Sequence, residues 1–231
     1  MLLLVGLGVI LAGVLREAAR RHDLREVFSV LLASSTVAKL ERSSTEVLQA
    51  VVDLVEARDR YTRGHSARVA ELSAVIGERL GLYPEHLRRL YQTAVLHDVG
   101  KIAVPGMILN KPGPLTAEEF AVVAAHTVVG DQLIERIPAL SFARPGIRWH
   151  HERLDGTGYP DGLAGDAIPL EARIIAVADV YDAMTSTRAY RPGLGEKAAL
   201  DELRHHAGVK YDARAVGALV RHIEAAAASR G

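Results

Sequence analysis

The chain has 231 residues, almost half of them apolar, enough for one catalytic domain with a sizeable core and a short extension. Lysine plus arginine equals aspartate plus glutamate at 28 each, so no overall field marks a nucleic-acid binder and any anion must be held by a local patch. Cysteine is absent, which excludes disulfides, thiolate metal sites and a cysteine nucleophile and leaves histidine and carboxylates as metal ligands.

Residues 1–15 carry no charge and are followed by Arg16, Arg20, Arg21 and Arg25. A spanning helix takes roughly 20 apolar residues, a length approached if Ala18 and Ala19 extend the run. The basic residues follow the apolar run instead of preceding it, which argues against a secretory signal and, by the positive-inside tendency, leaves the remainder in the cytoplasm. The expectation is a membrane anchor over residues 1–20; the alternative is an amphipathic or core helix packed on the domain or on a second copy. Leu24, Phe28, Leu31, Ser35 and Ala38 step by four and three, a weak heptad able to pair two chains. Residues 21–57 are therefore read as a helical linker and a possible homodimer contact. Within it, Ser43-Ser44-Thr45-Glu46 has the form of a capping box, with Val47, Leu48, Val51, Val52 and Val55 as the apolar face that follows.

The catalytic domain is expected over residues 58–231. His65 opens a helix with Val69, Leu72, Val75, Ile76 and Leu80 on one face, closed by Gly81. Pro84 starts the next helix, where Leu87, Leu90, Tyr91 and Ala94 form a stripe that continues onto His97 and Asp98. An inward carboxylate beside an imidazole asks for a metal, a cation or a proton. Gly100 can end this helix, and Lys101 places an ammonium nearby. The stretch 104–114, with three prolines and two glycines, reads as a loop. Thr116-Ala117-Glu118-Glu119 is a second capping box, and its helix carries Val122 and Val123 one turn before His126, which puts His126 on an apolar face.

Residues 150–162, HHERLDGTGYPDG, hold three glycines and a proline and read as a constrained, functional loop. Pro169 starts an apolar helix in which Asp179 and Asp182 share a face, and Arg188 and Arg191 follow. Helices near 196–206 and 212–230 finish the chain. No alternating strand pattern is present, so the fold is expected to be all-α: a helical bundle preceded by an N-terminal hydrophobic and connector helix. A lone histidine on an apolar face is usually a satisfied core residue, but His65, His97, His126, His150 and His151 with Asp98 and Asp179 reverse that expectation together. His86 lies off the inward stripe, and His22, His205, His206 and His222 read as surface.

From about Tyr61 to Asp212 the chain resembles the HD-GYP branch of the HD phosphohydrolase superfamily. His97-Asp98 with Gly100-Lys101 matches the HD motif and residues 150–160 match the GYP motif; Ile108 to Gly113, Ile168-Pro169, Ala178 to Met184 and Arg188 to Arg191 agree as well. The resemblance implies an HD-domain bundle that hydrolyses cyclic di-GMP to pGpG, GMP or both. It implies one metal on His65, His97, Asp98 and Asp179, with Asp98 bridging to a second on His126, His150 and His151. Nitrogen and oxygen ligands suit iron or manganese. Some members hold a third metal with a glutamate where this chain has Tyr61, so two are expected.

In that arrangement the metals acidify a bridging water for attack on phosphorus, Lys101 stabilises charge on the phosphate, and Arg188 is a second phosphate contact or a surface salt bridge. Asp182 orients Arg188 or a ligand histidine, or serves as leaving-group acid. Tyr159 belongs to a loop that shapes the pocket and is linked in similar proteins to diguanylate cyclase domains; a rigid lid without a partner is the alternative. An anchored protein of this kind would sit at the inner membrane. The competing readings are an HD phosphohydrolase of another nucleotide and a catalytically silent cyclic di-GMP receptor.

Overall fold

The computed structural model describes residues 52, 53, 55–59, 64–186 and 193–229. The chain is helical at 55–58 and then forms α1 (His65–Arg79), α2 (Pro84–Leu96), a 3-10 turn (Val99–Ala103) and α3 (Gly106–Leu109). These are followed by α4 (Ala117–Ala124), α5 (His126–Glu135), a 3-10 turn (Pro138–Ala143) and α6 (Arg144–Trp149). A short 3-10 turn (Gly165–Ala167), α7 (Leu170–Thr185), α8 (Gly195–His205) and α9 (Ala213–Ala228) complete it. Among the described residues there is no β-strand, only the isolated bridges Asp155 to Ala164 and Ala207 to Tyr211.

The bundle is built around α7. Ala172 and the run Ile174 to Ala178 are buried, so this helix is apolar on nearly every side, which suits a central position. α1 and α8 pack against it directly, and Val69, Ile76, Leu90, Ile175, Leu203 and Leu219 from five helices close one core. Each such side chain contributes about 1.5–3 kcal/mol by leaving water. Val52–Gly231 is one compact unit and takes in Val52 and Val55, both buried, from the expected linker.

Several expectations are corrected. The helix opened by the Thr116 capping box stops at Ala124, and His126 begins a new helix after Ala125; Val122 is 40% exposed, so the apolar pair does not carry His126 into the core. Tyr91 is 39% exposed and leaves the inward stripe to Leu90 and Ala94. The expected loop 104–114 contains the turn of helix α3. The membrane placement is overturned: among the described residues no helix is long and apolar enough to cross a membrane. The longest, α7 and α9, have 16 residues each, which at about 1.5 Å per residue falls short of a hydrocarbon core about 30 Å thick. The anchor over residues 1–20, the heptad and capping box of the linker, the dimer contact through it, Tyr61, Arg188 and Arg191 lie outside the described residues.

Candidate active site

Most of the candidate ligands arrive at helix ends. His65 is the first residue of α1, whose exposed N–H groups are met by Glu56: its carboxylate accepts from Gly64 N (2.6 Å) and Ser66 N (2.9 Å). α2 ends at Leu96, and His97 and Asp98 lie in the turn beyond. Gly100 does not cap that helix. A Cβ there would stand 1.9 Å from His126 O and 2.6 Å from Gly130 N. Glycine thus lets the 3-10 turn lie on the first turn of α5, which brings Asp98 to His126. His150 and His151 follow α6, and Asp179 and Asp182 project from α7.

Three of the five imidazoles are oriented in the same way. Nδ1 of His97 lies 2.7 Å from Ala94 O, that of His126 2.7 Å from Val123 O, and that of His150 2.8 Å from Ile147 O. A carbonyl can only accept, so each Nδ1 donates and each Nε2 keeps its lone pair for the centre of the site. His97 Nε2 is buried and makes no hydrogen bond, although it stands 3.3 Å from Asp98 Oδ2. In His65 it is Asp182 Oδ2 that accepts from Nδ1 at 2.7 Å, and Nε2 points at Asp179 Oδ1 (3.3 Å) and Asp98 Oδ2 (3.8 Å).

Two groups of ligand atoms result, each clustered within 4.8 Å: His65, His97 and Asp98, and His126, His150 and His151. Asp98 joins them. Its Oδ2 faces His65 and His97, while its Oδ1 lies 3.3 Å from His126 Nε2. An orphaned, buried imidazole nitrogen among carboxylates and further lone pairs fits divalent metal ions, and the set is all nitrogen and oxygen.

The two sides differ in charge. Burial holds the pKa of His126 below its ordinary value and that of His150 far below it; burial also lowers His151, to about 3. On the other side burial opposes a charged His65, but hydrogen bonds to Asp179 and Asp182 outweigh it and raise the pKa to about 10. Burial likewise opposes charge on Asp98, yet Lys101 and His97 keep it well below the carboxylate range. Asp179 is held low mainly by His65 against the same penalty. Three carboxylates around one buried imidazole, Asp98, Asp179 and Asp182 about His65, favour a cation there.

Lys101 Nζ donates to Asp98 Oδ2 at 2.7 Å and lies 3.6 Å from Asp59 Oδ2. Burial works against its charge, but Asp98 and Asp59 raise its pKa, so it is an ammonium at neutral pH. Asp182 does not face the centre of the site. It accepts from His65 on one side and from Arg68 on the other, with Nε to Oδ1 at 2.6 Å and Nη2 to Oδ2 at 3.1 Å. The sequence reading missed Glu56, Asp59 and Arg68. Arg68 could have been found three residues after His65, on the same helical face, whereas Glu56 and Asp59 precede the helix and give no periodic signal.

The GYP loop packs beside the ligand histidines through Tyr159. Asp161 accepts from Arg148 Nε (2.8 Å), Arg148 Nη2 (3.0 Å) and Trp149 Nε1 (2.8 Å), and its own N–H donates to buried Glu152 Oε1 (2.7 Å). A Cβ on Gly158 would lie 2.4 Å from Arg153 N and Glu152 Cα, so only glycine lets the loop fold onto its own start. The Tyr159–Pro160 peptide is cis, and the Tyr159 ring stacks on His151 with centroids 4.7 Å apart.

Comparisons with known proteins identify the family of the chain. The family model described as HD domain matches residues 49–215. The chain is 42% identical over 198 residues to the cyclic di-GMP phosphodiesterase response regulator RpfG of Xanthomonas campestris, covering 83% of this chain and 50% of that protein. It is 39% identical over 178 residues to a cyclic di-GMP phosphodiesterase of Thermotoga maritima, covering 76% and 48%. It is 36% identical over 173 residues to 3'3'-cGAMP-specific phosphodiesterase 1 of Vibrio cholerae, covering 74% and 40%. The chain thus spans half or less of the length of these relatives. Among solved structures, an HDG"Y"P protein of Bdellovibrio bacteriovorus shares the fold at TM-score 0.58 and 19% identity, over 94% of this chain and 70% of that one. The chain belongs to the HD domain family.

Proposed function

We propose that this chain is a metal-dependent phosphodiesterase that hydrolyses cyclic di-GMP to pGpG, GMP or both. The observation that carries the reading is Asp98, one carboxylate whose two oxygens face two separate ligand groups. His65, His97, Asp98 and Asp179 would hold one divalent ion, and His126, His150 and His151 with Asp98 a second. Iron or manganese suits a set without thiolate. When bound, such a pair supplies positive charge for a phosphodiester and acidifies a water.

The remaining groups are the chain's own. Lys101, kept charged by Asp98 and Asp59, places an ammonium where a non-bridging phosphate oxygen gathers charge. Asp182 holds the His65 ring so that Nε2 faces inward, and Arg68 holds Asp182. That role replaces proton transfer, because both Asp182 oxygens are already engaged. Tyr159, stacked on His151, would contact the substrate beside the second ion. Arg188 is kept as a second phosphate contact on sequence grounds. A contact between the GYP loop and a diguanylate cyclase domain, and a dimer through residues 21–57, complete the reading of partners.

A second substrate is favoured by one finding: a relative 36% identical is named as specific for 3'3'-cGAMP. Protein loaded anaerobically with iron or manganese is to be assayed against cyclic di-GMP, 3'3'-cGAMP and mononucleotides, with products separated by chromatography. Consumption of cyclic di-GMP with release of pGpG or GMP is expected. Turnover of mononucleotides alone, or tight binding of the dinucleotide without hydrolysis, contradicts the proposal.

A further inference from the structure

α4 contributes no buried residue to the core. Its start is secured without any apolar side chain, by Thr116 and Glu119 in a reciprocal capping box, with Glu119 also accepting from Lys111 Nζ at 2.6 Å. Yet the helix carries a phenylalanine, Phe120, that is 50% exposed. An exposed aromatic ring is unremarkable by itself. This one ends a file of rings that begins at the ligand cluster: His150 to His151 at 4.1 Å, His151 to Tyr159 at 4.7 Å, and Tyr159 to Phe120 at 5.6 Å, the last pair edge to face at 85°.

The file passes from the metal-ligand cluster to solvent. Next inward from Phe120 is the Tyr159 ring, stacked on His151 at an interplanar angle of 30°. His150 is buried, His151 and Tyr159 are partly exposed, and Phe120 is half open. A dinucleotide whose phosphate lies on the histidines and whose base follows this file of rings would bring that base to Phe120. Phenylalanine has no donor or acceptor, so it offers the base a surface without reading its edges.

Resting on the proposed phosphodiesterase reading, we propose that Phe120 is a substrate-binding residue, the platform on which one purine base of the cyclic dinucleotide stacks. Stacking on an aromatic ring tolerates any base, so the platform serves a guanine or an adenine equally. Affinity, not the choice between cyclic di-GMP and 3'3'-cGAMP, is what it sets.

The test is steady-state kinetics on the metal-loaded protein with cyclic di-GMP, for wild type, Phe120→Ala, Phe120→Leu and Phe120→Trp, with metal content measured in each. Loss of the ring is expected to raise KM roughly 5- to 100-fold with kcat within threefold and metal content unchanged. Phe120→Trp should restore KM and Phe120→Leu should not. Were Phe120 only an apolar clamp on the GYP loop, Leu would restore as well as Trp; that result, or a wild-type KM in Phe120→Ala, overturns the inference while leaving the hydrolysis intact. Absence of cyclic dinucleotide turnover in the wild type overturns both.

Discussion

His65 Nδ1 donates to Asp182 Oδ2 across 2.7 Å, and this bond decides which nitrogen of the ring faces the site. Asp182→Asn keeps the shape but removes the charge and leaves Arg68 with a weaker partner. We expect metal affinity at the His65, His97, Asp98, Asp179 group to fall about 10- to 100-fold, the usual cost of losing a carboxylate behind a ligand histidine. The three-histidine group should keep its ion. Competition with a graded chelator resolves the two affinities; an equal fall in both would contradict the assignment.

Lys101 is predicted to act on phosphate without holding metal. Lys101→Met should lower kcat about 100- to 1,000-fold, the scale for losing one preorganised charge-stabilising donor, with metal content unchanged. Asp59→Asn acts through Lys101 and should cost less. Kinetics with metal analysis on the same samples checks both, and a Lys101→Met protein with wild-type kcat would remove the lysine from the reaction.

A methyl group at position 100 tests how the two halves of the site are joined. The added Cβ collides with backbone, which cannot rotate away. Gly100→Ala should destabilise the fold by about 1–3 kcal/mol or more and move Asp98 away from His126, lowering activity further than stability. Denaturant unfolding and activity at a temperature where the variant is fully folded separate the two effects.

Much of this was legible in the chain, and the exceptions are physical. Capping boxes and prolines marked α4, α2 and α7, because those signals act locally. The candidate ligands could be picked out because five histidines and two aspartates stand in apolar or constrained contexts. The break at Ala125 was hidden: the residues around it favour helix equally well, and only packing of the 3-10 turn against α5 sets it. Gly100 read as a helix stop because its real reason, the carbonyl of His126, lies far along the chain. Glu56, Asp59 and Arg68 act on partners across tertiary contacts.

The metal-free protein should be most stable near neutral pH. His126, His150 and His151 have lowered folded pKa values, so the unfolded chain takes up their protons first as pH falls below about 6.5, and stability drops. Asp98, Asp179 and Asp182, held low in the fold, add to the loss as pH falls through about 4. His65 acts oppositely. Its stabilisation is complete below about 6.5 and is lost as pH rises toward about 10. Each fully buried histidine adds at most about 1.4 kcal/mol per pH unit on the acid side. Urea unfolding of chelator-treated protein between about pH 4.5 and 9.5 should give a maximum near neutrality, and a flat profile would contradict the charge assignment.

The direct test of the central claim is the number of ions held by Asp98. Anaerobically loaded wild type should carry two divalent ions per chain and hydrolyse cyclic di-GMP. Asp98→Ala, measured by elemental analysis and product chromatography on the same sample, should lose hydrolysis and both ions or all but a weakly held one. An Asp98→Ala protein that keeps two ions and full turnover would contradict the shared-carboxylate account.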